Sequence, residues 1–403
     1  MVSSLTASLT RGPNLLIVLF VIAWQAVLPF IPIAGQRLGM DAATIGLLIG
    51  IQGVAGLAVV FPTGAWIGRL GAHQFAIVGT AGGFAAFLAL WVAPSVPMLL
   101  VALPLLGACQ MVVFMAGQML VVSMPDQRVR DRAVGMFMFY TSVGVTLGPV
   151  LGSIAIRVTG GLGGAFMVAA AAGALSLVCA TLLRPAPPSG AVVPGRSWSG
   201  LMPFTHSLKV SLLTTAIGDF FYVAWAILLP LAMTAAGHNP STIGWAFAAR
   251  GAATTLVRPA LSALLGRFSR EGLTAVSLVA LGGGFWLSNG ASVALKPVLL
   301  GSVLFGIGTG LLFPLSLLLI TGGAPPSRIP HLLSIRQFVG KAGQIAGPVV
   351  TGALAAANQA VTVAGVAVLG LGAAAWVYGH RGQSEEAVGV SPSDATGVVE
   401  PPI

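Results

Sequence analysis

The sequence predicts an all-α polytopic membrane protein, with twelve transmembrane helices in two pseudo-symmetric six-helix bundles. Three observations carry that prediction. Of 403 residues, 56% are apolar and only 7% are charged, against roughly 25% charged in a soluble domain, so a soluble fold of this length is excluded. Apolar runs long enough to cross a hydrocarbon core about 30 Å thick recur twelve times between charged or Pro/Gly-rich breaks. The two halves also repeat each other in sequence. Gly 54 is about twice the usual share, which suits helices packed closely in lipid. The short alternating strands of an outer-membrane barrel are not seen.

The spans run over 13–34, 43–65, 74–93, 98–122, 134–156 and 162–183, then 210–234, 241–263, 272–290, 297–321, 332–356 and 360–379. The opening MVSSLTASLTRGPN imitates a secretory leader, but the apolar run after it is too long and further spans follow, so it reads as an uncleaved first helix. RPAPPSGAVVPGRSWSG is a Pro/Gly/Ser-rich linker. The chain therefore divides into a bundle at 13–183, a linker at 184–209, a second bundle at 210–379 and a disordered tail at 380–403.

A net charge of +10 would point to nucleic acid in a soluble protein, but here the basic residues sit mostly in loops and report topology. With both termini on one side, the loops there hold Arg11, Arg69, Arg128, Arg130, Arg132, Arg184, Arg196, Lys209, Arg267, Arg270, Arg328 and Arg381. The opposite loops hold only Arg37, Arg157 and Lys296. By the positive-inside rule, both termini and the linker are cytoplasmic in a multi-pass protein of the cell (inner) membrane. Cys109 and Cys179 lie in apolar stretches far from any second thiol or clustered His, so neither a disulfide framework nor a metal site is expected.

ATIGLLIGIQGVAGLAVVFPTGAWIGRLG from residue 43 aligns with STIGWAFAARGAATTLVRPALSALLGRFS from residue 241. Nine of 29 positions are identical, including Thr44 with Thr242, Gly46 with Gly244 and Arg69 with Arg267. Gly144, Gly148 and Pro149 match Gly343, Gly347 and Pro348 at nearly the same offset. Chance apolar similarity does not keep one register across two distant segments. Two similar bundles with a site between them are the ingredients of alternating access.

On these residues the chain resembles the major facilitator superfamily over about residues 13–380. The resemblance rests on the six-plus-six repeat, the loop GAWIGRLGAHQ, its partner SALLGRFSREG, and GVTLGPVLG in the fifth span. The last, Gly144-x-x-x-Gly148-Pro149-x-x-Gly152, is similar to the signature of the family's proton-driven exporters. Its glycines strip one helix face for a neighbour, and Pro149 permits a bend; ordinary helix packing is the plainer reading. The loops depart from the family pattern, which places an acid before the Arg. Here Gly68 precedes Arg69 and Gly266 precedes Arg267, so the contacts that gate the cytoplasmic face differ. Gln110 stands where the drug exchangers carry an Arg, which argues against a multidrug subtype.

Of nine acidic residues, Asp219 alone falls within a span, as do the basic residues Arg250, Arg258, Arg336 and Lys341. Each unpaired intramembrane charge costs about 2.5–3.5 kcal/mol, so these groups need partners or a wet cavity. Asp219, Arg250 and Lys341 each lie nine residues into their spans, about 13–14 Å deep, close to the midplane. Arg258 and Arg336 are near the cytoplasmic end and are expected to snorkel to that surface. For the midplane three, one reading is a fixed salt-bridge cluster. The other is a wet site in which Asp219 exchanges a proton while Arg250 and Lys341 hold an anionic or zwitterionic group.

Gln25, Gln52, Gln110 and Gln118 are candidates for lining the cavity, with interhelical glue the alternative for each. Tyr222 and Trp225, with Trp24 and Phe114, are candidates for an aromatic wall or for plain packing. The stripe Met111, Met115, Met119 reads as adaptable packing. No phosphate-cradling loop with Lys and no paired catalytic carboxylates occur, so ATP-driven transport and hydrolysis lack their parts. The expectation is not an enzyme but a monomeric, proton-coupled antiporter exporting a small organic compound, with no cofactor, no metal and no nucleic-acid partner. Its partners are protons, a small-molecule substrate and the lipid bilayer. Proton-coupled uptake of an organic anion, and a permease-like assembly factor or receptor without net transport, are the alternatives.

Overall fold

A computed structural model describes residues 2–122, 127–183, 206–290, 294–321 and 329–380. All regular structure among them is helical. The helices are α1 (Val2–Val27), α2 (Ile31–Arg37), α3 (Ala42–Leu70), α4 (Ala72–Val92), α5 (Val96–Val122), α6 (Gln127–Thr159) and α7 (Gly163–Leu182). The second half holds α8 (His206–Ala235), α9 (Pro240–Val257), α10 (Leu261–Leu265), α11 (Arg270–Asn289), α12 (Leu295–Thr321) and α13 (Ile329–Gly379). Most of the linker and tail expected at 184–209 and 380–403 lies outside the described residues.

Among the described residues, ten helical stretches are long and apolar enough to cross a bilayer. Two further features bring the count to the twelve expected. α9 runs through a 3-10 turn at Arg258–Ala260 into α10, making one broken crossing. α13 bends at Asn358, whose backbone is extended (φ −159°, ψ 107°). The Asn358 Oδ1 accepts from the Val361 N–H at 3.1 Å and caps the second arm, so the last two crossings share one helix with no loop between them. The first span is broken as well, at residues 28–30 before Pro32 at the start of α2. Large apolar side chains such as Val158, Leu182 and Leu256 are exposed, as lipid contact requires.

Within each half, glycines set how closely helices approach. Gly144 packs against the Val18 carbonyl of α1, Gly148 against Ile22 and Gln25, and Gly152 against Ala26. In the second half Gly343 meets Ala216 and Gly347 meets Phe220 of α8 in the same way. The shared motif thus seats α6 on α1 and α13 on α8. A methyl at Gly148 would lie 2.6 Å from the Gln25 Cβ and 2.9 Å from the Ile22 carbonyl oxygen. Gly148→Ala is expected to cost about 1–3 kcal/mol through overpacking, read as a lowered Tm of the purified protein. Gly161→Ala, with open space around its Cβ, serves as the unshifted control.

The two halves touch along two seams, α3 on α13 and α6 on α9. In the first, Gly46 meets Pro348 and Gly352, and Gly53 meets Ile345; in the second, Gly244 meets Ser153 and Gly251 meets Thr146. These are equivalent pairs under the repeat, so the seams are related by a pseudo-two-fold axis. Ser241 Oγ donates to the Ser153 carbonyl at 3.1 Å, and the Thr146 and Thr255 hydroxyls lie 3.2 Å apart. Both seams begin at the face opposite the chain termini. There Asp41 and Asn239 cap α3 and α9, accepting from the Thr44 and Ser241 N–H groups at 2.8 and 3.0 Å. The bonds from Thr44 hold the Asp41 carboxyl below the usual carboxylate range.

Candidate functional site

Beneath the seams lies a cavity of ≈ 330 Å³ lined by both halves. From the first half come Phe20, Trp24, Gln25, Gln52, Gln110, Met111, Phe114 and Gln118; from the second come Asp219, Tyr222, Phe313, Gln337, Lys341 and Gln344. All four glutamines named from the sequence therefore line one space with Asp219 and Lys341. Gln337 is exposed, about one helical turn from Lys341 toward the terminal face. Another cavity, ≈ 370 Å³, opens at the opposite face beside Arg37, Arg157 and Pro240, away from these charges.

Asp219 and Lys341 do not touch directly. Gln344 stands between them: its Nε2 donates to Asp219 Oδ1 at 2.7 Å, and its Oε1 accepts from Lys341 Nζ at 2.7 Å. An amide can do this because it presents a donor and an acceptor at once. Gly340 lets α13 lie close on α8, with Asp219 Oδ2 in the space that a Cβ would take. Gln344 and Gln337 escaped the sequence reading. Their signal is the spacing 337, 341, 344, which puts them on the face of α13 that carries Lys341.

Across the cavity Gln25 Nε2 donates to the Tyr222 hydroxyl at 3.0 Å, a bond between the two halves. Gln25 and Gln52 are buried, and the Oε1 of each has no partner.

Two expected members are elsewhere. Trp225 is fully buried in the second half, stacked on Phe305 at 5.1 Å, with its Nε1 donating to Ser288 Oγ at 2.9 Å. Arg250 is 1% exposed and is absent from the cavity lining. Its guanidinium lies 4.6 Å from the Tyr222 ring centroid, 5.3 Å from that of Trp225 and 5.6 Å from that of Phe247. The reason is the direction of the side chain. Gly244 and Gly251 turn toward α6, so residue 250, about 100° round the helix from 251, points into its own half.

Arg258 and Arg336 do not snorkel as expected. Arg258 Nη1 donates to Ser142 Oγ on α6, bridging the halves, and Arg336 donates to Ser316 Oγ at 2.8 Å and the Phe313 carbonyl at 3.2 Å. Of the two loop arginines, Arg267 is exposed beyond α10, while the side chain of Arg69 lies outside the described residues.

A family model described as Major Facilitator Superfamily matches residues 14–231 and again 210–399, once for each half. Among solved structures, a bacterial homologue of the human lysosomal transporter Spinster, inward-facing and occupied, is similar with a TM-score of 0.75 at 14% identity, covering 94% of this chain and 97% of that one. A structure from work on proton-dependent oligopeptide transporters gives 0.74 at 14% identity, covering 94% and 99%. The human organic anion transporter MFSD10 (TETRAN) gives 0.67 at 17% identity, covering 92% and 99%. A search of curated protein sequences finds no match. The repeated match over both halves, on a fold with a cavity between them, places the chain in the Major Facilitator Superfamily, a family of multi-pass membrane transporters of small molecules.

Proposed function

We propose that this transporter is a proton-coupled antiporter that exports a small anionic or zwitterionic organic compound by alternating access. The observation that carries the reading is Asp219 and Lys341 joined through Gln344 on one wall of the inter-bundle cavity. Asp219 is the proton carrier, and Lys341 receives a carboxylate or similar group. Gln25, Gln52, Gln110, Gln118 and Tyr222 orient the rest of the substrate. With Arg250 covered, the cavity wall presents one acid and one base, a balance that favours zwitterions within the class. A ligand ammonium on Asp219 competes with a proton, so substrate and proton cross in opposite directions. A ligand carrying only negative charge would occupy Lys341 and leave Asp219 to protonate, so that proton and ligand cross together; uptake with protons is thus the rival outcome.

The rocking units are 13–183 and 210–379, joined by the linker at 184–209. Gly144, Gly148, Pro149 and Gly152 keep the first unit rigid, and Arg69 and Arg267 act at the terminal-face gate. The twelve-to-three excess of basic loop residues supports a terminal face, and both termini, on the cytoplasmic side of the cell membrane; the working unit in this reading is a monomer.

A thermal-shift screen of purified protein against zwitterionic, anionic and cationic compounds tests the reading. Zwitterions and carboxylates are expected to stabilise it. Lys341→Ala should weaken the best ligand at least about tenfold, since a hydrogen bond to a charged group contributes about 1.5–3 kcal/mol. Hits confined to lipophilic cations, or binding indifferent to Lys341→Ala, would contradict it.

A further inference from the structure

Arg250 is the largest charged side chain buried in the described structure, and it has no counter-ion. Its Nε and Nη2 have no hydrogen-bond partner. The acid within the spans, Asp219, is bound to Gln344. Three aromatic rings cover the guanidinium, and cation–π contacts reach about 2 kcal/mol when desolvated. Leaving a charged donor unpaired in a dry site costs more than that. A partner gained in another state of the molecule would offset such a cost.

The cover is built to move. Tyr222 lines the cavity, and its ring packs on the guanidinium of Arg250, which does not line it. Its hydroxyl is tied by Gln25 to the other half of the molecule. Opening the opposite face separates the halves at the α6–α9 seam, one residue from Arg250, and draws Gln25 away from Tyr222. The repeat points the same way, because Arg250 aligns with Gln52, which already lines the cavity from the equivalent helix. Gly306 and Gly107 fit closely against the backbones of Arg250 and Gln52 respectively, so the two positions share one local frame.

We propose that Arg250 is a second anion-binding group of this transporter, covered by Tyr222 while the opposite face is closed and uncovered when the halves part there. The inference rests on the anionic or zwitterionic substrate proposed above. A carboxylate that gains Arg250 only in the second state draws the loaded carrier toward that state, because a ligand shifts an equilibrium only by its differential affinity.

Labelling tests the cover without any knowledge of the substrate. Purified full-length protein is treated with phenylglyoxal, and Arg250 modification is followed by peptide mass spectrometry with the exposed Arg37 as reference. Arg250 is expected to react slowly in the wild type and about tenfold faster in Tyr222→Ala, a change in open population worth about 1.4 kcal/mol. Gln25→Ala, which keeps the ring and removes its tether, should give a smaller increase and serves if Tyr222→Ala fails to fold. Benzoate should then protect Arg250 in the faster variants. Equal rates in wild type and variants, or faster labelling that benzoate does not slow, would overturn the proposal. Transport assays play no part, so loss of the antiport reading and loss of this one are separable.

Discussion

Replacing Asp219 with Asn is expected to abolish pH-driven exchange in proteoliposomes, down to the level of empty vesicles, while expression and Tm stay near wild type. The substitution is nearly isosteric, and the Asn carbonyl still accepts from Gln344, so the arrangement that holds Lys341 survives. What disappears is the ability to take up and release a proton. Asp219 is the acid found deep within a span; among the described residues Asp41 precedes α3, and Asp131 and Glu271 lie within the first five residues of α6 and α11. No neighbouring carboxylate within the spans replaces it. Downhill exchange of substrate for substrate needs no proton and should persist, at weaker affinity for a ligand whose ammonium meets Asp219. Undiminished proton-driven flux in the variant would remove Asp219 from the mechanism.

The second large effect is expected at the seams. A Cβ on Gly46 would fall on the Pro348 carbonyl and 3.1 Å from the Gly352 Cα, and backbone cannot yield as a flexible side chain can. Gly46→Leu should therefore prevent closure of the opposite face and hold the carrier open there. Flux should fall by about fivefold to a hundredfold, since overpacking of about 1–3 kcal/mol biases a two-state population by that much. Gln52→Cys, placed in a Cys109→Ser/Cys179→Ser background, reports the state. Its labelling by an impermeant maleimide from the opposite face should rise in Gly46→Leu. Unchanged labelling and flux would show that α3 and α13 need not meet there.

The fold was legible because lipid leaves few options. A backbone in hydrocarbon must pair its own polar groups, so apolar length translates directly into helices. The repeat added the arrangement of the halves, and Gly46, Gly53, Gly244 and Gly251 occupy equivalent places in the two seams. Interruptions were less legible. Asn358 ends one arm and caps the next within a single helix, leaving no polar gap for a loop to mark.

The site was legible in depth and not in direction. Counting residues put Asp219, Lys341 and Arg250 at one level, and two of them share the cavity. Arg250 does not, because its rotation about α9 follows from which neighbours touch Gly244 and Gly251. The glycine spacing hints at that face, but nothing in the sequence says that α6 lies against it. Arg258 and Arg336 show the same limit, since shallow depth permits snorkelling while hydroxyls on neighbouring helices offer nearer partners. Gln344 carries no charge to mark it within its span, yet a neutral amide is the group that connects the two charges.

The pH dependence of substrate affinity tests the central claim most directly. For the best zwitterionic ligand, Kd measured by calorimetry on purified protein should rise as pH falls, approaching tenfold per pH unit where one proton competes for Asp219, and should be flat in Asp219→Asn. An affinity that strengthens as pH falls, or a slope that survives in Asp219→Asn, would contradict proton exchange through this carboxylate.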